Sequence, residues 1–449
     1  MSNHHALIAF PPLKAHCPDA SHSTRSASLH ARLCEDDPDA EIAGFRFGGV
    51  YSGIKKNAAH LDFGLIVAER GAVCAGVYTQ NLVVAAPVTL SRAHLERSAQ
   101  VRGVVVNSGN ANACTGERGD RDARRTCDLV AKALSGDEGS VEPHEIQVAS
   151  TGVIGAPLPV DRLEGALDAL VTSCDVSGLN RFATAIMTTD NRPKARIATL
   201  DLGGIEGSEG IERIRIGGCS KGAGMIHPNM ATMLAYICTD APLDPASLSA
   251  LWRRVCDQSF NAITIDGDTS TNDTALCLAS GCAERTGDQT TTLRGEALAL
   301  FEEALLTLAR ALAVDILRDG EGVEHVAALT IKGARTRREA RQVAETVALS
   351  PLVKTAMNGR DPNWGRIVAA VGRSKVEVDP QRISLKIGGH DIFHRGVWLG
   401  TEAEAHAHEV MKTSEYAIEV DLGLGEAKLT LFMSDLSAQY VRINADYRS

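Results

Sequence analysis

The chain has 449 residues, of which 44% are hydrophobic, 23% charged and 4% aromatic, with 41 glycines against 15 prolines. These proportions describe a globular chain of roughly two or three domains and exclude a disordered or collagen-like polypeptide. With 46 basic against 56 acidic residues the net charge is −10, which argues against nucleic acid as a partner.

No apolar run approaches the roughly 18 residues of a membrane-crossing helix, and the one near Met1 is too short for a secretory leader. A cytoplasmic protein without a membrane partner is expected. The eleven cysteines are scattered and none forms a Cys-x-x-Cys pair, a pattern of reduced packing residues rather than of a disulfide frame. No metal site is expected, since no His-Glu-x-x-His occurs, and no phosphate-binding Gly-x-x-x-x-Gly-Lys-Ser/Thr loop occurs either.

Residues 1–44, rich in His, Ser, Asp and Pro, lack apolar periodicity and read as a poorly ordered N-terminal extension. From Phe45 the texture changes. Asp62–Ala68 and Ala72–Tyr78 read as two strands joined by a tight turn at Gly71, and Val101–Val106 as a short buried strand. Ala123, Cys127, Val130, Ala131 and Leu134 form the apolar stripe of an amphipathic helix. Asp244 followed by Pro245 predicts a capped helix start, with Leu248, Leu251, Val255 and Cys256 on its apolar face. A longer helix over about 294–317 is apolar enough for burial on more than one side. Toward the end, 383–387 alternates like a strand, and 418–422 and 429–433 read as a half-buried strand pair around the turn at Gly423. Strands and helices mixed without a regular βαβ rhythm predict an α+β fold rather than a doubly wound parallel sheet.

Five loops carry small polar residues where packing alone would place apolar ones: Asn107–Gly116, Ser150–Gly155, Met187–Asp190, Lys221–Thr232 and Asp266–Asp273. Loops of this kind present N–H groups and hydroxyls to a ligand. The last has the alternating acidic spacing of a calcium loop, but Thr271 and Cys277 stand where that template needs Gly and Glu. Taken alone it reads as a turn crosslinked by its own side chains. There is no Gly-x-Ser-x-Gly elbow, so a serine triad is unsupported. Threonine chemistry remains. A Thr hydroxyl becomes a competent nucleophile when its own liberated α-amine is the base, and such an amine titrates near 7.7 to 8.0. A nearby Lys would lower that value further.

The segment Lys221-Gly-Ala-Gly-Met-Ile-His-Pro-Asn-Met-Ala-Thr-Met-Leu234 resembles the self-cleavage signature of the ornithine acetyltransferase family, the bifunctional glutamate N-acetyltransferases of arginine biosynthesis. Gly53-Ile-Lys, Asn107-Ser-Gly-Asn-Ala-Asn-Ala, Ser150-Thr-Gly, Met187-Thr-Thr-Asp, Ser259-Phe-Asn, Asp266-Gly-Asp-Thr-Ser-Thr-Asn-Asp, Asp319-Gly-Glu-Gly, Lys354-Thr-Ala, Asp361-Pro-Asn-Trp-Gly-Arg and the ending Asn444-Ala-Asp-Tyr-Arg-Ser extend the likeness, in the family's order, from about residue 45 to the end. The resemblance implies a self-processed threonine-nucleophile fold of stacked helix and sheet layers, with a smaller C-terminal α/β lobe. It implies a cut between Ala231 and Thr232 that leaves an α chain of 45–231 behind the extension and a β chain of 232–449.

It further implies that Thr232 is the nucleophile, that Thr151 and Gly152 form the oxyanion hole, and that Thr188, Lys221, Thr232, Glu321, Asn444 and Ser449 contact substrate. Acetyl would pass from N-acetylornithine to Thr232 and on to glutamate without a cofactor, with acetyl-CoA left open as a co-substrate. Two αβ pairs would form a heterotetramer. The family usually has a Lys-containing segment after Asp-Gly-Glu-Gly, and here Val323-Glu-His325 stands instead. That departure leaves open a paralogue acylating another amine, and an amidohydrolase on the same fold is the other alternative.

Overall fold

A computed structural model describes residues 32–136, 139–227, 233–285 and 292–446. Sixteen strands run in chain order as β1 (Leu33–Asp36), β2 (Phe45–Val50), β3 (Phe63–Tyr78), β4 (Gln100–Asn110), β5 (Ile146–Val153), β6 (Lys194–Asp201), β7 (Arg213–Lys221), β8 (Leu234–Thr239), β9 (Ile263–Thr264), β10 (Thr274–Ala279), β11 (Val326–Ala334), β12 (Ser384–Ile387), β13 (His390–His394), β14 (Val397–Trp398), β15 (Glu415–Asp421) and β16 (Ala427–Ser434). They form a nine-stranded sheet in the order β1-β6-β7-β8-β10-β3-β4-β5, with β2 also on β3, and a seven-stranded sheet in the order β14-β13-β12-β15-β11-β16-β9. Both mix parallel and antiparallel pairs, so the fold is α+β as expected.

The larger sheet doubles over on itself. Phe45, Ile66, Val104, Val106 and Ala149 of β2 to β5 share one buried cluster with Cys219, Leu234, Tyr236, Cys238, Leu276 and Leu278 of β7, β8 and β10. Two sheet layers face each other across that core. Helices Gly116–Leu134 and Val160–Thr172 cover one outer face, and helices Pro245–Asp257 and Gly295–Arg318 the other. The crossing point corrects the expected hairpin: β3 is a single sixteen-residue strand. Its register against β4 shifts between Val67 and Ala72, and Gly71 has φ +85°. A glycine there makes a bulge that bends the strand from one layer to the other rather than a turn that reverses it.

Two further expectations meet differences. Of the expected extension 1–44, residues 1–31 lie outside the described residues, and the described part from residue 32 contributes β1, paired antiparallel with β6 from Leu33↔Leu200 to Asp36↔Ile197, and buries Leu33 and Ile42. A four-residue edge strand with one buried apolar side chain is too short to show as alternation. β15 and β16 are not partners, because β11 lies between them, parallel to β15 and antiparallel to β16. Each helix expected from the sequence forms, and Asp244 caps its helix by accepting the Ser247 N–H at 2.9 Å. Helix Gly295–Arg318 touches β6 and β7 of the large sheet and β9 and β16 of the small one, which is why it is apolar on more than one side. Among the described residues all cysteines are free thiols, and no helix is long and apolar enough to cross a membrane.

Candidate active site

Doubling of the sheet brings together strand ends far apart in sequence. In one layer β7 ends at Lys221 opposite Leu234, the first residue of β8, and Leu234 lies beside Thr274, the first of β10. In the other, β4 and β5 run parallel and end side by side, Ser108 beside Thr151 and Gly109 beside Gly152. Asn272 stitches the layers: its side-chain amide donates to the Ala111 carbonyl at 2.6 Å and to the Ser150 carbonyl at 2.9 Å. Ser150 in turn donates to Asn107 Oδ1 at 2.6 Å, and Asn107 donates to the Asn110 carbonyl at 2.8 Å. The small polar residues of these loops therefore satisfy buried backbone where two sheet layers meet.

A pocket opens at this junction, lined by Thr151, Gly152, Thr188, Lys221, Glu321 and Asn444 together with Asp266, Asp268, Asn272 and Tyr440. Six of the residues assigned to substrate or oxyanion contact from sequence thus come from five separated segments to one cavity. Ala231, Thr232 and Ser449 lie outside the described residues. Gly152 has φ +131°, and a Cβ there would stand 2.3 Å from the Gly109 carbonyl carbon. Only glycine allows β4 and β5 to approach so closely at the pocket wall.

Charge at the pocket is organised around Lys221, which is buried and lies 3.4 Å from the Thr188 hydroxyl. Burial pushes its ammonium below the ordinary lysine range, and the Asp190, Asp273 and Glu321 carboxylates partly offset that. Asp190 receives the Gly222 N–H at 2.7 Å and the Thr188 N–H at 2.9 Å. Burial alone would raise its carboxyl, but Lys194 and Lys221 hold it below the usual carboxylate range. Glu321 is placed by its N–H to the Ala223 carbonyl at 2.8 Å and accepts the Asn444 side-chain amide at 2.8 Å.

The C-terminal helix Ala438–Asp446 is docked rather than frayed. Ser437 donates to the Gly322 carbonyl at 2.6 Å, and Tyr440 donates to Asp266 at 3.0 Å. Asp266 also accepts the N–H groups of Met225 and Ile226, at 2.6 and 2.8 Å, anchoring the segment that follows Lys221. The Asp266 loop reads as bland by itself in the sequence, and Lys194 and Tyr440 carry no local signal there. Val323, Glu324 and His325 do not line the pocket; His325 is buried with its Nδ1 3.5 Å from Asp435. Among the described residues no group of three His, Cys, Asp or Glu side chains is placed to hold a metal ion.

The sequence model of the ArgJ family matches residues 46–449. The chain is 47% identical over 414 residues to the arginine biosynthesis bifunctional protein ArgJ of Geobacter sulfurreducens, spanning 91% of this chain and 100% of that one. Against the protein of the same name from Symbiobacterium thermophilum it is 43% identical over 408 residues, 91% of this chain and 97% of that one. Among solved structures it is similar to ArgJ of Bacillus halodurans (38% identity, 48% of this chain, 100% of that chain, TM-score 0.45). It is also similar to the ornithine acetyltransferase of Mycobacterium tuberculosis solved with ornithine (36% identity, 44% of this chain, 98% of that chain, TM-score 0.38). With a family match over nine-tenths of its length and relatives spanned end to end, the chain belongs to the ArgJ family.

Proposed function

We propose that this chain is the glutamate N-acetyltransferase of arginine biosynthesis, cutting itself between Ala231 and Thr232 and moving acetyl from N-acetylornithine to glutamate. The observation that carries the reading is the convergence of Thr151, Gly152, Thr188, Lys221, Glu321 and Asn444 on one pocket, at the end of the sheet where β8 begins at Leu234, two residues after 232.

Thr232 Oγ attacks the acetyl carbonyl carbon of N-acetylornithine, and its proton passes to the α-amine of the same residue. The tetrahedral oxyanion is held by the Thr151 hydroxyl and the Gly152 N–H. The carbonyl–nitrogen bond then breaks, the proton goes to the departing amine, and ornithine leaves acetyl as an ester on Thr232. Glutamate's α-amine attacks that ester by the reverse path and departs as N-acetylglutamate, restoring the hydroxyl. Lys221 answers the anionic end of the donor, while Glu321, oriented by Asn444, answers its ammonium or relays the proton. Acetyl-CoA is a possible second donor to the same hydroxyl, and no bound cofactor is called for. Two αβ pairs assemble in the cytosol.

The test is incubation with N-acetylornithine, with and without glutamate. Ornithine and N-acetylglutamate appearing one for one support the reading. Acetate released at the same rate whether or not glutamate is present identifies an amidohydrolase instead, and transfer to another amine but not to glutamate identifies a paralogue.

A further inference from the structure

Outside the pocket lining lies a buried ionic group formed by Lys194, Asp190 and Asp319. Lys194 Nζ is 2.6 Å from Asp190 Oδ1 and 2.6 Å from Asp319 Oδ2, and none of the three side chains is more than 4% exposed. The two carboxylates come from segments far apart in sequence, one beside Thr188 and the other two residues before Glu321. Asp190 holds the Thr188 and Gly222 N–H groups, fixing Thr188 and the end of the strand that carries Lys221. Asp319 receives the Asn191 N–H at 3.1 Å and stands two residues before Glu321. One ammonium therefore ties the segment bearing Thr188 to the segment bearing Glu321, alongside the direct bonds from Asn191 to Asp319 and from the Glu321 N–H to the Ala223 carbonyl.

The geometry points to Lys194 as a positioning residue that sets the reach of the pocket, and so the length of cationic side chain an acyl donor can carry. This rests on the reading that Lys221 and Glu321 meet opposite ends of the donor. Without the ammonium, two buried carboxylates would repel across the gap it now closes. A wider bridging group would hold the two segments apart, because lysine is a compact point charge whereas a guanidinium is a planar fork. Sub-ångström spacing matters here: a misplacement of about 1 Å between binding groups can cost about 100-fold in rate, and one methylene in a fitted pocket is discriminated by roughly 10- to 200-fold.

The experiment is steady-state kinetics of the mature enzyme and its Lys194→Arg variant. The donors are N-acetylornithine, its homologue one methylene shorter (from diaminobutyrate) and its homologue one methylene longer (from lysine). The expected result is that the variant's preference for ornithine over lysine in kcat/KM falls at least about tenfold, with the change mainly in KM. A uniform loss on all three donors, or an unchanged preference, overturns the inference, since a purely structural role would not shift selectivity. Should Lys194→Arg not fold, Asp319→Asn keeps an acceptor for Lys194 while loosening one segment, and the same comparison decides. A wild-type enzyme inactive on every one of these donors would defeat the functional reading instead.

Discussion

Asp273 accepts the backbone N–H of Met233 through Oδ1 at 2.9 Å, while its Oδ2 is buried without a hydrogen-bond partner among the described residues. Burial pushes this carboxyl well above the usual range, against the pull of the Met233 N–H and of Lys221. Met233 is bonded directly to residue 232, so Asp273 fixes the second residue beyond the proposed cut. Asp273→Ala should cost about 1–3 kcal/mol by leaving the Met233 N–H unsatisfied, and should slow maturation. Asp273→Asn, which keeps an acceptor, should recover most of the stability. Urea unfolding and the time course of the precursor band check both.

Asn444 orients Glu321 from a helix at the very end of the described chain. Deleting 444–449 should abolish acetyl transfer yet leave the fold intact, because the docking contacts of Ser437 and Tyr440 remain. Glu321→Gln should lower turnover or substrate affinity. Circular dichroism with an assay for N-acetylglutamate distinguishes loss of activity from loss of structure.

At the oxyanion wall, Gly152→Ala must move backbone, since the added carbon would collide with Gly109 and adopt a φ that alanine avoids. Removing one oxyanion donor typically costs about 100- to 1000-fold in kcat. Thr151→Ala should show that loss with little change in thermal midpoint, whereas Gly152→Ala should lose both activity and stability.

Much of this site was legible because its residues sit in unusual loops. Small polar residues in loops and at strand ends mark Asn107, Ser150 and Asp190 as out of place for ordinary packing, and the family signature assigns roles to Thr151, Lys221 and Glu321. What could not be read was long-range. Nothing local says that β3 crosses between layers at Gly71 instead of turning back, or that β11 enters between β15 and β16. The Lys194 bridge is likewise invisible in sequence, since Asp319 lies 125 residues away from it.

Asp240 gives a pH dependence of known sign. Burial pushes its carboxyl up to about 7, with the Arg215 N–H opposing. Between the unfolded value near 3.8 and 7 the folded chain holds a proton that the unfolded chain has released. Its contribution to stability therefore falls as pH rises through that window and levels off above it. Asp240→Asn, which still accepts the Arg215 N–H, should raise the thermal midpoint more at about pH 8 than at about pH 5. Calorimetry of both proteins at the two pH values is the check.

The most direct measurement is intact-mass and N-terminal analysis of the purified protein before and after exposure to N-acetylornithine without glutamate. Two chains are expected, one beginning at Thr232 and gaining a single acetyl group on that residue, which glutamate then removes. An uncut chain that nevertheless makes N-acetylglutamate at full rate, or a cut chain that transfers acetyl without ever carrying it on Thr232, would contradict the proposed chemistry.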